Sequence, residues 1–318
     1  MKGLTDIPGI RVGHISDKEA LTGCTAILCG DGTVGGVDIR GFATGTAEID
    51  TLRAEHVAVN VNAIVLSGGS AFGLETASGV RHYLEQHGIG FPAGNARVPI
   101  VPCAILFDLG IGKSTVRPGR EMGYSAAASA TDRAVEEGNV GAGTGATVGK
   151  IFGMQRAMKG GIGSFTVQFG SGVLVAALVA VNPLGEVRDP ATGKCIAGAR
   201  KSATSRELAD SEAAILEGAA GGLSHPNTTL AVVATNARLS KVGAAKLAQM
   251  ASLGMVRTIY PVNTMSDGDV TFALSLGTQS ADIDALGIAA ADAVARAIVR
   301  GVRAAKTAGG VPGLASNQ

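Results

Sequence analysis

Two apolar runs constrain the fold of this 318-residue chain more than any other feature of its sequence. Residues 173–181 consist only of Val, Leu and Ala, and residues 230–234 have the same character. A strand with one face in water alternates apolar and polar residues, whereas a strand covered on both faces is apolar throughout. The segments 164–169, 172–181 and 230–236 are therefore predicted to be strands, and the sequence favours sheets that are covered on both sides.

Predicted helices surround these strands. A helix is expected over residues 71–87 and another over 122–137, and the pattern Thr204-Ser-Arg-Glu207 is a capping box that predicts a helix ending near Gly218. A strand over residues 270–276 precedes a long helix over 280–306, and residues 307–318 are expected to be disordered. The order of elements predicts an α+β fold with sheets inside and helices outside, without a linker that would divide it. Parallel and antiparallel pairing both remain open.

Composition excludes several classes of protein. Hydrophobic residues make up 46% of the chain and charged residues 17%, which is typical of a chain that buries a large core. The net charge of +1 gives no general reason to expect binding to nucleic acid or to an anionic membrane. The longest apolar run is far shorter than the ~20 residues of a membrane span, and no signal-peptide core is visible. The four cysteines form no CxxC pair, so we expect a reduced, cytoplasmic protein.

Several familiar motifs are imitated but incomplete. Residues 107–114 end like a phosphate-binding loop but lack its first glycine, and residues 144–151 lack both that glycine and the Ser or Thr that binds the metal. Residues 68–72 resemble a nucleophile elbow around Ser70, but Phe72 stands where the second glycine belongs, so a structural turn is expected. The five histidines form no metal-ligand pattern, and we expect no catalytic metal.

The sequence Asn227-Thr228-Thr229 stands directly before the predicted strand over 230–236. A loop of small residues, 219–226, precedes it and is expected to be exposed and flexible. If the chain were cut before Thr228, the threonine would gain a free amine, and a threonine with its own terminal amine is a known activated nucleophile. Local features alone favour an ordinary junction between a loop and a strand.

Four other polar residues are candidates for a functional site, and of these Asn182 stands where a core residue would be expected. Lys150 follows a glycine-rich passage, and Asn182 ends the long apolar strand. Asp267 and Asp269 flank a glycine ahead of the strand over 270–276. This Asp-Gly-Asp sequence could be a fragment of a calcium loop, an ordinary turn, or a pair of carboxylates that orients an ammonium group.

Taken together, these motifs resemble those of the DmpA-like aminopeptidases and the nylon-oligomer hydrolases, which are self-cleaving amidohydrolases of the N-terminal-nucleophile type. The resemblance spans most of the chain, in the family's order. The matching segments are residues 66–75, 141–150, 181–183, 227–236, 238–241 and 266–272.

The resemblance implies a four-layer αββα sandwich in a single domain. It also implies cleavage between Asn227 and Thr228, giving chains 1–227 and 228–318 that remain associated, with homotetramers or dimers of cleaved heterodimers common. No cofactor is implied. The implied activity is hydrolysis of an amide bond in a small substrate, either a short peptide with a free amino end or a linear amide oligomer.

The resemblance also implies a role for each residue of the site. Thr228 matches the nucleophile, and its freed α-amine matches the general base. Lys150 matches the catalytic lysine and Asn182 the oxyanion donor. Asp267 and Asp269 match the acidic pair that holds the terminal threonine and, in related members, the amine of the substrate.

Phe107 departs from the family pattern. Several members have Tyr at this position, where its hydroxyl is thought to assist the oxyanion, so Asn182 and backbone amides are left as donors here. Thr at position 228 is closer to the nylon-oligomer branch than to the β-aminopeptidases, which use Ser. Two alternatives stay open: acyl transfer to an amine, as in the similarly folded ornithine acetyltransferases, and an uncleaved, non-catalytic member.

Overall fold

Two stacked sheets form the centre of the protein in the computed structural model, which describes residues 1–218 and 227–315. In this part of the chain each of them has five strands. The first sheet has the order Arg11–Asp17, Thr22–Leu28, Ala63–Ser67, Cys103–Ile105 and Thr46–Ala47. The second sheet has the order Ile162–Phe169, Val173–Asn182, Thr228–Ala237, Val270–Gln279 and Val34–Ile39.

Helices and short strands complete the described part of the chain. The α-helices are Thr76–Gln86, Arg120–Ala128, Ser211–Leu216, Lys241–Ala251, Leu253–Val256 and Ile283–Ala304. The short strands are Phe91–Ala93, Ala96–Val98, Thr147–Val148, Met158–Lys159, Glu186–Arg188, Cys195–Ala197 and Ile259–Tyr260. Single turns of 3-10 helix occur at Leu4–Asp6, Ile49–Leu52, Ser70–Glu75, Gly141–Gly143 and Met154–Arg156.

The central strands of the second sheet are buried on both faces along most of their length. Val179 and its alternate neighbours pack against the Ile283–Ala304 and Lys241–Ala251 helices, whereas Leu178 and its alternate neighbours pack against the first sheet. The outer face of the first sheet is covered in the same way by the Thr76–Gln86 and Arg120–Ala128 helices. The layers are therefore helix, sheet, sheet, helix, which confirms the α+β αββα sandwich expected from the sequence.

Each sheet contains both kinds of pairing, which settles the question that the sequence left open. The Thr228–Ala237 strand is antiparallel to Val173–Asn182 and parallel to Val270–Gln279. The parallel pair is connected through the Lys241–Ala251 helix, as a crossover between parallel strands requires. The first sheet has its own parallel pair, Ala63–Ser67 beside Cys103–Ile105.

Glycine lets the outer helices approach the sheet closely. A Cβ atom placed on Gly163 would lie 2.0 Å from the carbonyl oxygen of Ala297 and 2.8 Å from the Cα atom of Gly301, both on the Ile283–Ala304 helix. This close approach explains why the core contains so many Gly and Ala residues and so few aromatic ones.

Two predicted helices are wrong in extent. The helix expected over 122–137 ends at Ala128, because Thr131 instead exchanges backbone hydrogen bonds with Val12 at 2.9 and 3.1 Å. The capping box at 204–207 does not begin a helix, because Leu208 forms a β-bridge with Arg200. The helix that follows starts at Ser211, and Asp210 caps it by accepting a hydrogen bond from the Ala213 amide.

The C-terminal segment is ordered up to residue 315, where disorder was expected. Ala315 forms a β-bridge with Lys306, and the buried Val311 packs against Leu21 and Ile111. These apolar contacts join residues that are far apart in the sequence, so no local sequence pattern predicts them. The loop 219–226 and residues 316–318 lie outside the described residues, so the expectations for them stay untested.

Within residues 1–218 and 227–315, no helix is both long and apolar enough to cross a membrane. The four cysteines, Cys24, Cys29, Cys103 and Cys195, are all free thiols.

We expect Gly163→Ala to destabilise the protein by about 1–3 kcal/mol, because the added methyl group overlaps the backbone of the Ile283–Ala304 helix. Urea unfolding followed by circular dichroism measures the change. Gly119→Ala is the matched control, since the nearest atom to its new methyl group would lie 3.7 Å away. Equal stability of the two variants would contradict this account of the helix–sheet contact.

Candidate active site

Strand register places Thr228 opposite Asn182. Thr228 is the first residue of its strand and Asn182 the last of the neighbouring antiparallel strand, and the two are direct partners. Thr228 is 2% exposed and Asn182 is fully buried. Two residues that are 46 positions apart in the sequence therefore meet at one end of the second sheet.

The Asn227 carbonyl group lies between two donors. Its oxygen accepts a hydrogen bond from the Thr228 hydroxyl and another, of 2.6 Å, from the backbone N–H of Gly268. The Asn227 amide in turn donates to the carbonyl oxygen of Ser266 at 2.8 Å. The Asn227–Thr228 bond is thus fixed against the segment that carries the Asp-Gly-Asp sequence.

Gly268 has no space for a side chain. A Cβ atom on it would lie 2.7 Å from the Thr228 Oγ1 atom and 2.6 Å from the carbonyl oxygen of Ala43. The contact is close because the Gly268 N–H must reach the Asn227 carbonyl. The middle residue of Asp267-Gly268-Asp269 therefore belongs to the site, a role that the sequence did not reveal.

The amine of Lys150 is buried and makes three hydrogen bonds. Its Nζ atom donates to the Thr147 carbonyl at 2.7 Å, to the Asn182 carbonyl at 2.9 Å and to Asn182 Oδ1 at 3.0 Å. Burial lowers the pKa of Lys150 to about 7, although the carboxylates of Asp267 and Asp269 act in the opposite direction. An amine with this pKa exchanges protons readily at neutral pH.

The side chain of Asn182 is held at both ends. Its Oδ1 atom accepts from Lys150 and from the Thr147 amide at 2.9 Å, and its Nδ2 atom donates to the Phe107 carbonyl at 3.1 Å. The Nδ2 atom carries two hydrogens, so it can donate to a second acceptor. The contact with Phe107 uses the backbone, so it does not depend on the ring that replaces the family's tyrosine.

Asp267 and Asp269 each accept hydrogen bonds from two backbone amides near Thr228. Asp267 accepts from the amides of Leu184 and Thr264 at 3.2 and 3.0 Å. Asp269 accepts from the amide of Thr229 at 2.6 Å and from that of Asn263 at 3.1 Å. Burial and the neighbouring Asp267 raise the pKa of Asp269 to about 8. A positive charge nearby would ionise this carboxyl group.

The site thus brings together Lys150, Asn182, Asp267, Asp269 and Thr228, the five residues that the family resemblance selected, through shared backbone and side-chain hydrogen bonds. In the intact chain Asp267 and Asp269 accept hydrogen bonds from backbone amides, and the role of orienting an ammonium group stays a prediction. Ser70 belongs to a separate turn between strand and helix, where its amide donates to the Leu106 carbonyl at 3.0 Å.

A second buried lysine, Lys159, was missed by sequence reasoning. Its side chain has no exposed surface, and its amine donates to the carbonyl oxygens of Thr144 and Ala146 at 2.9 and 2.6 Å. Burial lowers its pKa to about 7, and the opposing influence comes from Asp108. Lys159 therefore holds the segment whose next residue, Thr147, contacts Lys150 and Asn182. In the sequence, the one sign of this buried amine is a lysine that stands between Met158 and Gly160.

Asp108, the counter-charge of Lys159, is itself buried. Its carboxylate accepts from the Thr22 hydroxyl and from the Gly69 amide, both at 2.7 Å. Burial raises the pKa of Asp108, whereas these two hydrogen bonds act to lower it. Asp108 thus links Thr22, in the first sheet, to the turn at Gly69.

Comparison with known proteins identifies the family of the chain. Residues 2–315 match the model of peptidase family S58. An uncharacterised aminopeptidase of Mycobacterium tuberculosis is 39% identical over 343 residues, covering 98% of this chain and 96% of the relative. The 6-aminohexanoate-oligomer endohydrolase of Kocuria sp. is 30% identical over 273 residues, covering 85% of this chain and 74% of the relative.

Solved structures show the same fold. The β-aminopeptidase of a Burkholderia species superposes with a TM-score of 0.69 at 23% identity, covering 99% of this chain and 91% of that one. The L-aminopeptidase D-Ala-esterase/amidase of Ochrobactrum anthropi, described as a variant of the N-terminal-nucleophile hydrolase fold, has a TM-score of 0.69 at 19% identity, covering 96% of this chain and 86% of that one.

The fold is therefore that of the N-terminal-nucleophile hydrolases. Within that class, the chain belongs to peptidase family S58. As a member of this family it is a hydrolase of peptide or amide bonds, and the resemblance drawn from its sequence motifs is confirmed.

We expect Lys159→Met to lower the free energy of unfolding by about 1–3 kcal/mol, because it leaves two buried carbonyl groups without their hydrogen-bond donor. Lys246→Met, on an exposed helix position, is the control and should change stability little. Urea denaturation midpoints at pH 7 compare the two. A Lys159→Met protein as stable as the control would show that this amine does not support the segment.

Proposed function

We propose that the chain cleaves itself between Asn227 and Thr228 and then hydrolyses amide bonds with Thr228 as its N-terminal nucleophile. One observation carries this proposal: the Thr228 hydroxyl lies against the Asn227 carbonyl, whose oxygen also accepts the Gly268 N–H. A nucleophile and an oxyanion donor thus meet at a single peptide bond. The cleaved chains would have 227 and 91 residues and together make up the 318 of the sequence.

Self-cleavage would proceed through an ester. The Thr228 Oγ1 atom attacks the Asn227 carbonyl carbon, and its proton passes to a base. The Gly268 N–H stabilises the negative oxygen of the tetrahedral intermediate, and the C–N bond then breaks as the Thr228 nitrogen takes up a proton. Water hydrolyses the resulting ester, which leaves a carboxylate on Asn227 and restores the Thr228 hydroxyl.

Lys150 is the base that we assign to this first reaction. In the intact chain the Thr228 nitrogen is part of a peptide bond and cannot accept a proton, so another group must. Lys150 contacts Asn182, the strand partner of Thr228, and burial lowers its pKa to about 7. A substantial fraction of this amine is therefore neutral at physiological pH.

After cleavage the new α-amine of Thr228 would take over as general base. Its unperturbed pKa of about 7.7–8.0 suits proton transfer at neutral pH. Thr228 would attack the substrate carbonyl, release the amine and form an acyl-enzyme that water hydrolyses. Asn182 Nδ2 and the Gly268 N–H are the oxyanion donors we assign, and one such donor typically contributes roughly 3–4 kcal/mol to lowering the barrier.

The acidic pair would balance the charge created by cleavage. The new terminal amine adds a cation beside two buried carboxyl groups. Asp269, whose pKa is about 8 in the intact chain, would lose its proton when this cation forms. The carboxylate would then hold the terminal residue in place and stabilise the cation that forms each time the amine takes the proton of the Thr228 hydroxyl.

The substrate we propose is a small amide, either a short peptide with a free amino end or a linear amide oligomer. Relatives named aminopeptidase and 6-aminohexanoate-oligomer endohydrolase support both classes. The two products of cleavage should stay together, because the Thr228–Ala237 strand is paired on both sides within the second sheet.

A denaturing gel of freshly purified protein should show two fragments, and Thr228→Ala should leave one intact chain without amidase activity. Thr229→Val is the matched control, since the Thr229 hydroxyl has no hydrogen-bond partner among the described residues and Val has the same shape. This control should still be cleaved. An intact wild-type chain that hydrolyses amides would refute the proposal.

Self-cleavage should accelerate as pH rises from about 6 to 8, with a midpoint near pH 7, because Lys150 accepts a proton only when it is neutral and its pKa is about 7. Newly synthesised chain, incubated across this range and sampled on a gel, gives the rate at each pH. Lys150→Met should stop cleavage.

Lys150→Arg separates the role of a base from that of a cation. Arginine keeps the positive charge and remains protonated throughout this pH range. If Lys150 acts as the base, Lys150→Arg stays uncleaved at every pH. Cleavage of this variant at the normal rate would mean that the site needs only the charge.

A further inference from the structure

A cavity of about 100 Å³ lies beside Lys150, and the proposed self-cleavage leaves the space within it unused. Its lining residues are Phe107, Asp108, Gly110, Ile111, Gly145, Thr147, Lys150 and Met154. Gly110 is exposed and Phe107 and Met154 are half-buried, whereas Thr147 and Lys150 are buried. The cavity therefore leads from the surface to the side chain that contacts Asn182.

The wall of the cavity is almost entirely apolar. Its polar residues turn their functional groups elsewhere: the Lys150 amine is bound to three oxygen atoms, and the Asp108 carboxylate is bound to Thr22 and Gly69. A charged group entering this space would lose its hydration without finding a partner, which is costly. The cavity suits a hydrocarbon group.

Its volume limits the size of that group. An apolar protein cavity of about 150 Å³ holds benzene, which has six carbons. At about two-thirds of that volume, this cavity has room for about four carbons. A leucine side chain or a chain of four methylene groups would fill it, and a phenyl ring would not fit.

We propose that this cavity binds the acyl side of the substrate and selects a saturated aliphatic group of about four carbons. The proposal rests on the proposed amide hydrolase activity at Thr228. Phe107 then contributes to substrate binding. Its ring forms part of the apolar wall, where the hydroxyl of a tyrosine would add a polar group.

Gly110 provides a direct test, because a methyl group there would point into the cavity. Its Cβ atom would lie 3.5 Å from Met154 Cγ and 3.9 Å from Phe107 Cε1, which is ordinary van der Waals contact. Gly110 is absent from the residues with positive φ, so alanine is tolerated by the backbone. Gly110→Ala therefore fills the space without strain, and Met154→Ala enlarges it.

The experiment compares kcat/KM for the p-nitroanilides of L-alanine, L-leucine, L-phenylalanine and L-lysine. Wild-type enzyme should prefer the leucyl substrate over the alanyl, phenylalanyl and lysyl ones by about 10-fold or more. Gly110→Ala should lower kcat/KM for the preferred substrate, relative to kcat/KM for the alanyl one, by about 10-fold. Met154→Ala should raise kcat/KM for the phenylalanyl substrate. Gly119→Ala, away from the cavity, should match wild type.

The outcomes separate this inference from the proposed function. A chain that stays intact on a gel and hydrolyses none of the probes contradicts the proposed function itself. Cleaved, active protein whose selectivity is the same in wild type, Gly110→Ala and Met154→Ala overturns the assignment of the cavity. Cleaved protein that prefers the lysyl or phenylalanyl substrate, or that accepts none of the aliphatic probes, also overturns it.

Discussion

The register between the Val173–Asn182 and Thr228–Ala237 strands is the constraint on which the whole site depends. Side chains along a strand alternate between faces, so a slip of one residue would turn Thr228 towards the opposite side of the sheet. The same slip would exchange the residues that face the helices with those that face the first sheet. Both apolar faces of these strands therefore fix the position of a polar residue at their end.

Two buried amines shape the passage beside that strand end. Lys159 binds the carbonyl groups on either side of Gly145, and Lys150 binds the next one, of Thr147. Backbone carbonyl groups in a glycine-rich passage would otherwise be buried without partners, which costs free energy. The amines of Lys150 and Lys159, which burial makes easier to deprotonate, thus also provide the hydrogen bonds that hold the passage in place.

The sequence was most informative where one physical factor dominated. Continuous apolar runs predicted the doubly covered strands, and the family resemblance selected the residues that meet at Thr228. Prediction failed where a distant partner decided the outcome: Thr131 ends a helix by pairing with Val12, and Val311 is buried against Leu21 and Ile111. Lys159 and Gly268 were missed because their importance depends on atoms that no local pattern brings together.

The burial of the Asn227–Thr228 bond has a kinetic consequence. The two residues that form it are 0% and 2% exposed, and the bond is held between neighbouring strands. A second protein molecule has no route to a peptide bond in that position. Maturation by self-cleavage would therefore be a first-order process with a half-life unaffected by dilution. Each molecule would become active after folding independently of the others.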